Sequence, residues 1–198
     1  MNDNDRAARQ FRSRPTEFRA TNAGGKKRIE GYFAVFDGVY ELWPGATESV
    51  DPHAFDEALN DDIRALIDHE TRLVLGRNTA KTLELKVDAK GLWGGIDIND
   101  ADTDATNLHA RVERGDVSQC SFGFDILDEE TAYNEKTGSV HWTIKKVKLY
   151  EVSCVTFPAY EDTSITARQA RKTQYDQIRK RQFDAWRAQQ KARLKHGA

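Results

Sequence analysis

The stretch of sequence that decides the fold is QCSFGFDIL, residues 119–127. In an extended chain Phe122 and Phe124 point to one face, while Ser121 and Gly123 point to the other, because successive side chains of a strand alternate. The aromatic face predicts burial against a core, and Gly123 leaves the opposite face open beside Ser121. The pattern therefore predicts a β-strand with two different faces.

Strand patterns recur on both sides of this stretch. They cover residues 29–36, 64–69, 82–87, 92–98, 140–147 and 150–157, which are apolar or alternating and rich in β-branched and aromatic residues. Helix-start signals interrupt the series after Asp51 and after Asp102, and the second helix meets a capping glycine at Gly115. We expect an α+β, mainly β fold, with about seven mostly antiparallel strands in a barrel and flanking helices.

The two ends of the chain differ from its middle. Residues 168–195 contain neither Gly nor Pro and predict a long basic helix. Residues 168–198 hold 10 Lys and Arg against 2 Asp and Glu, whereas residues 1–167 hold 20 against 30. The first 28 residues are polar and Arg-rich without an apolar period. We expect a mobile polar arm over 1–28, the main domain over 29–167 and a basic helical tail over 168–198.

Composition excludes several classes of protein. Of the 198 residues, 38% are hydrophobic and 31% are charged, which leaves no stretch of the roughly 20 apolar residues that cross a bilayer. Two cysteines cannot build a disulfide framework, and the first residues lack the apolar run of a secretory signal. We expect a reducing, cytosolic setting. No Gly-rich phosphate loop, CxxC pair or HExxH helix occurs, so we expect no cofactor and no metal.

Two side chains are candidates for chemistry on strands of the main domain. His69 follows an apolar strand and has acidic neighbours that could orient its ring, as a general base requires. A hydrogen-bonded structural histidine fits the same pattern. Ser121 stands on the open face beside Gly123, where an extended peptide could approach a nucleophile. An ordinary strand beside another backbone would look the same.

Glu151 is a third candidate, because it begins a strongly apolar strand. A buried carboxylate needs a partner, since an unpaired charge away from water costs several kcal/mol. A histidine imidazole is one such partner, and a salt bridge to Lys145, Lys146 or Lys148 is equally compatible with the spacing.

Taken in order, several of these segments resemble the prohead proteases of tailed bacteriophages, which are distantly related in fold to herpesvirus assemblins. The resemblance runs from about Ile29 to Arg168. It rests on GYFAVF at 31–36, PHAF at 52–55, LIDHE at 66–70, LGR at 75–77, RVERG at 111–115, CSFGF at 120–124 and LYEVSCVTFPA at 149–159.

The resemblance implies a serine endopeptidase, so that residues 29–167 are a protease domain with Ser121 as nucleophile and His69 as general base. Glu151 matches the position of the orienting residue. Assemblins use a second histidine for that role, and His141 keeps this alternative open.

The resemblance also implies substrates, partners and a location. They are the scaffold segments and the delta region of the major capsid protein, cut inside the assembling procapsid in the host cytoplasm, and the protease itself by autocleavage. A homodimer follows by analogy with assemblins. The alternative is a non-catalytic scaffold or assembly protein that retains the protease fold. Nucleic-acid binding is disfavoured, because residues 1–167 are acidic and the pI is about 6.2.

Overall fold

The computed structural model describes residues 10–15, 18–157 and 165–196. Within these ranges the chain forms eleven strands and two α-helices. The strands are β1 Gln10–Pro15, β2 Phe18–Ala23, β3 Lys26–Val35, β4 Tyr40–Trp43, β5 Ala46–Val50, β6 Arg64–Ile67, β7 Glu70–Arg77, β8 Leu83–Val87, β9 Gly91–Asp97, β10 Gln119–Asn134 and β11 Ser139–Val155; the helices are α1 Thr103–Arg114 and α2 Ile165–His196.

The strands belong to two sheets. The larger has seven strands in the order β1-β10-β11-β5-β4, with β6 pairing a second stretch of β11 and β7 pairing β6. The smaller has four strands in the order β2-β3-β9-β8. Most pairs are antiparallel, but β5 and β6 both run parallel to β11. The α+β, mainly β expectation is confirmed.

The expected barrel differs from what the described residues form. Their strand pairings leave β1 and β4 at the ends of the main path of one sheet and β2 and β8 at the edges of the other. The strand count also exceeds the expected number, because β1, β2, β4, β5 and β7 are short or polar and give no clear period. No pairing within the described ranges closes a barrel, so that part of the expectation is not supported.

The long hairpin of β10 and β11 is the centre of the larger sheet. Phe122 and Phe124 are fully buried and their rings stack with centroids 4.7 Å apart, which is the core face that the alternation predicts. In β11, Gly123 pairs with Glu151 and Phe124 with Leu149, so Tyr150 is an extra, bulged residue. This bulge explains why residues 140–147 and 150–157 look like two strands in the sequence but form one.

The described residues before Ile29 belong to both sheets. β1 pairs antiparallel with β10, and β2 pairs with β3. The imidazole Nε2 of His109 on α1 lies 3.1 Å from the carbonyl oxygen of Thr21 and ties β2 to that helix. Residues 10–15 and 18–23, which the sequence assigns to a mobile arm, form paired strands, and residues 1–9 and 16–17 of that arm lie outside the described residues. Backbone pairing needs no apolar period, which is why the sequence does not signal these strands.

The helices agree more closely with the sequence. Asp102 caps α1 by accepting hydrogen bonds from the backbone N–H groups of Asp104 and Ala105, and Gly115 ends it with a left-handed φ of 88°. α2 is the long basic helix expected from about residue 168. It contacts the body where the hydroxyl of Tyr175 donates to the carbonyl of Gly138. The helix expected after Asp51 is reduced to turns and one 3-10 helix, Ala58–Asn60.

Candidate active site

His69 lies at the tip of the β6–β7 hairpin. Ile67 pairs with Glu70 across the hairpin, so Asp68 and His69 alone make the turn. Their φ angles are 47° and 61°, and a two-residue type I′ turn needs such left-handed values at both central positions. Asp and His enter this region more readily than most residues with a side chain. The turn therefore fixes the point from which the imidazole extends.

The carboxylate of Asp68 fastens this turn to the end of β11. It accepts hydrogen bonds from the backbone N–H of Thr156 at 2.7 Å and from its hydroxyl at 3.1 Å. The backbone N–H of Asp68 donates to the carbonyl of Cys154 at 2.9 Å. Because β11 also carries Glu151, these contacts set the distance between the imidazole and that carboxylate.

Glu151 is the buried acid of the site, with 3% of its surface exposed. Its Oε1 lies 2.7 Å from Nδ1 of His69, and its Oε2 accepts from the hydroxyl of Ser153. The space for the carboxylate exists because residue 123 is glycine: a Cβ there would lie 2.2 Å from Oε1. The open face expected beside Ser121 is thus filled by the acid.

The two nitrogens of the imidazole have different roles. Because a carboxylate can only accept, we assign the hydrogen of the neutral ring to Nδ1, and Nε2 is then the acceptor. Nε2 is buried and has no hydrogen-bond partner among the described residues. The His69 side chain contacts Ser121 and Ser153, and the ring of Phe11 lies over it at a centroid distance of 4.3 Å. The ring is therefore an oriented and shielded proton acceptor.

Ser121 lies in β10, opposite Ser153 of β11 and Ser13 of β1. It is fully buried, and its hydroxyl donates to the backbone carbonyl of Arg12 at 3.0 Å. The structure thus brings Ser121, His69 and Glu151 together from three strands or their ends.

Other contacts occupy His141, which is the alternative orienting residue, and the three lysines that could pair with Glu151. Both nitrogens of His141 are 2.8 Å from hydroxyls of β5, those of Thr47 and Ser49. Lys145 pairs with Asp51, Lys146 pairs with Glu57, and the amine of Lys148 lies over the ring of Tyr150. The carboxylate that meets the His69 ring is Glu151.

Sequence reasoning missed Ser153 and Asp68. Ser153 is two residues after Glu151 and shares its face of the strand, so period-2 alternation could have indicated it. Asp68 gave no such signal, because its contacts with Thr156 join segments 88 positions apart.

The two cysteines face the core and not the candidate site. Cys120 and Cys154 are opposite each other on β10 and β11, and both thiols are buried. Burial, with a smaller contribution from Cys120, raises the pKa of Cys154 well above its usual range. A thiol held protonated in this way is a poor nucleophile.

No helix among residues 10–15, 18–157 and 165–196 is long and apolar enough to cross a membrane. In the same part of the chain, no cluster of three or more His, Cys, Asp and Glu side chains is arranged to hold a metal ion.

The arrangement has the parts of an acid–imidazole–hydroxyl relay. The buried carboxylate orients the ring, Nε2 of the ring has no hydrogen-bond partner among the described residues, and a hydroxyl lies in contact with the ring. Such a set can move a proton from an attacking oxygen to a leaving group.

Comparisons with known proteins agree with this chemistry. The family model described as Caudovirus prohead serine protease matches residues 14–180. The prohead protease of Enterobacteria phage HK97 is 29% identical to this chain over 156 residues, which cover 77% of this chain and 64% of that protein. This chain therefore spans slightly less than two thirds of the length of that relative. No solved structure matches it significantly.

Proposed function

This chain belongs to the caudovirus prohead serine protease family, and from that premise we propose that it is a serine endopeptidase of capsid maturation. Ser121 is the nucleophile, His69 the general base and Glu151 the orienting acid. The observation that carries the proposal is the His69 ring: Nδ1 is bound to a buried carboxylate, and the buried Nε2 has no hydrogen-bond partner among the described residues.

The proposed reaction follows from that ring. The hydroxyl of Ser121 turns from the carbonyl it now bonds toward Nε2 of His69, which takes its proton as the oxygen attacks a peptide carbonyl. The imidazolium that forms is stabilised by Glu151 and returns the proton to the departing amine. A water molecule then hydrolyses the acyl ester by the same route and frees Ser121.

Ser153 is the competing hydroxyl, because His69 contacts it as well. Its hydrogen is directed to Oε2 of Glu151, so it serves to hold the carboxylate and not to attack. Ser121 donates only to a backbone carbonyl in the described residues, an interaction that a small rotation of the hydroxyl releases. The nucleophile is therefore assigned to Ser121, and Ser153 is a positioning residue.

The proposed substrates are the scaffold segments and delta region of the major capsid protein, cut inside the procapsid in the host cytoplasm, and the protease itself. The family description and the name of the HK97 relative both refer to the prohead, which supports this assignment. Contact with the capsid protein follows from it.

The test is co-expression with the capsid protein of the same phage. Ser121→Ala should leave the capsid protein at full length by gel and mass spectrometry, while Ser153→Ala should retain slower cleavage. Lys136→Ala, at the exposed turn between β10 and β11, is the control and should process normally. Normal processing by folded Ser121→Ala would overturn the assignment and favour a non-catalytic assembly protein.

A further inference from the structure

The strand β1 covers the candidate active site. It pairs antiparallel with one edge of β10 over Gln10–Pro15, with Ser13 opposite Ser121. β1 is a terminal strand of the sheet, and among the described strands it pairs with β10 alone. An extended peptide that binds by adding a strand to a sheet edge would have this geometry.

The backbone of β1 presents one carbonyl to the nucleophile. The hydroxyl of Ser121 lies 3.0 Å from the carbonyl oxygen of Arg12. The preceding residue, Phe11, lies over the His69 ring. A peptide bond is thus seated at the site, and it is the bond between Arg12 and Ser13.

The side chain of Arg12 is buried against the larger sheet, on the face that carries Phe122 and Phe124. It is only 4% exposed, and its Nε donates to Oε1 of Glu48 at 2.6 Å. A second nitrogen donates to the side chain of Gln10 at 2.8 Å, and the guanidinium lies 5.7 Å from the centroid of the Phe124 ring. Glu48 is fully buried, and a carboxylate buried to this degree requires a cation or a proton.

From these contacts we infer that Glu48 is the specificity residue of the site and selects a basic residue, arginine above all, on the amino side of the cleaved bond. The inference rests on the proposed peptidase function and names its substrate class: extended segments with an Arg-Ser-like junction. β1 is the first such segment, so the Arg12–Ser13 bond is the site of self-cleavage. Arginine is preferred over lysine because its planar group makes several hydrogen bonds at once while its charge lies over the Phe124 ring.

The self-cleavage step balances with the groups present and one water molecule. The oxygen of Ser121 bonds to the carbonyl carbon of Arg12, and the bond from that carbon to the nitrogen of Ser13 breaks. The proton of the hydroxyl passes through His69 to that nitrogen, which becomes the new amino terminus. Water then hydrolyses the ester, leaving a carboxylate on Arg12 and restoring the hydroxyl of Ser121.

The first experiment maps self-cleavage in the full chain by mass spectrometry. We expect a product that begins at Ser13, and we expect Ser121→Ala to lack it. Arg12→Lys should slow its appearance and Arg12→Gln should abolish it. Arg19→Gln is the matched control, since Arg19 is 74% exposed and pairs with Glu30 on the other sheet; it should cleave at the wild-type rate.

The second experiment does not depend on a variant that must fold. Peptides spanning residues 7–18 are offered to the wild-type chain with arginine or with its neutral analogue citrulline at position 12. Loss of the charge should lower kcat/KM by about 100-fold or more, the size expected when a buried carboxylate loses its cation. Glu48→Gln, checked for folding by circular dichroism, should reduce this preference to a few-fold.

The outcomes separate the two proposals. If Ser121-dependent cleavage occurs without discrimination between arginine and citrulline, the peptidase assignment stands and the role of Glu48 is overturned. If the full chain shows Ser121-dependent self-cleavage only at bonds away from position 12, β1 is an ordinary strand and the inference fails. Absence of any Ser121-dependent cleavage, with the capsid protein or with peptides, would overturn both.

Discussion

Nδ1 of His69 lies 2.7 Å from Oε1 of Glu151, although 82 positions separate the two residues in the chain. The contact forms because the β6–β7 turn is fastened to the end of β11, which carries the acid a few residues earlier. It makes Nδ1 the nitrogen that the carboxylate binds and leaves Nε2 without a hydrogen-bond partner in the part of the chain that the structure describes.

Glu151→Gln should lower kcat by roughly 10³- to 10⁴-fold, because an amide can donate to Nδ1 and so favours the wrong tautomer of the ring. The change keeps the volume of the side chain, so the melting temperature should move little. Peptide cleavage rates and thermal melts measure the two effects. Glu135→Gln, at an exposed position, is the control; a Glu151→Gln chain within tenfold of wild type would remove the acid from the mechanism.

Gly123→Ala should impair catalysis more than folding. The new Cβ would lie 2.2 Å from Oε1 of Glu151, and a carboxylate at the end of a side chain can move away at little cost. A displacement of about 1 Å in such a group can lower a rate by about 10²-fold. We expect a large loss of kcat with a nearly unchanged melting temperature. Thr131→Ala, exposed on the same strand, should change neither; equal loss in both variants would contradict the explanation.

Asp68→Ala should destabilise the turn that carries His69. It removes the acceptor for two hydrogen bonds from Thr156, and we expect a loss of about 1 kcal/mol in the free energy of unfolding, because Asp68 is exposed and the bonds compete with water. The cleavage rate should fall as well. Asp68→Asn keeps one acceptor oxygen and should lie between wild type and Asp68→Ala in urea unfolding and in rate. An Asn variant worse than the Ala variant would argue against this role.

The ion pair at the base of the β6–β7 hairpin should make the stability of the chain depend on pH. The Arg77 side chain, by hydrogen bonds to Asp62, lowers the pKa of that carboxyl to about 2. A carboxyl whose pKa is lower in the folded than in the unfolded chain stabilises fully above its ordinary pKa of about 3.9 and loses that contribution as pH falls toward 2. Stability measured from pH 5 to pH 2 should therefore decline. Arg77→Ala should remove the contribution of Asp62 to this decline. In that variant, NMR titration should give a higher pKa for Asp62.

The thiols should be inert in the folded chain. Burial raises the pKa of Cys154, and Cys120 is equally enclosed, so neither should react with a disulfide reagent at pH 8 within minutes. Both should react at once in guanidinium chloride. Rapid labelling of the native chain, with loss of cleavage, would point to a cysteine nucleophile in place of Ser121.

The sequence predicts the parts of the site that depend on local patterns. The alternation around Ser121 identifies its face, and the caps Asp102 and Gly115 set the ends of α1 because side-chain and backbone preferences act over a few residues. The resemblance to prohead proteases names Ser121, His69 and Glu151, and the fold brings the three together.

The rest depends on pairings between distant segments. β1 has no apolar period, yet it carries Arg12 to Glu48, 36 positions away. Asp68 and His69 are not the Asn-Gly pair that signals a two-residue turn, so the sequence does not reveal the hairpin at this point. Likewise, no local pattern shows that Tyr150 is a bulge, because a bulge is defined only by the partner strand.

The bulge at Tyr150 separates the two ends of one hairpin. Leu149 and Glu151 are two positions apart, yet they pair with neighbouring residues of β10 and so lie on opposite faces. The alternation of side chains between the two faces of the sheet therefore shifts by one residue between the part of β11 near helix α2 and the part that holds Glu151. We expect insertions of one residue to be tolerated near the tip at 135–138, where they alter only the length of the hairpin. Between 150 and 153 we expect an insertion to abolish the site, because it would turn the Glu151 side chain toward the core.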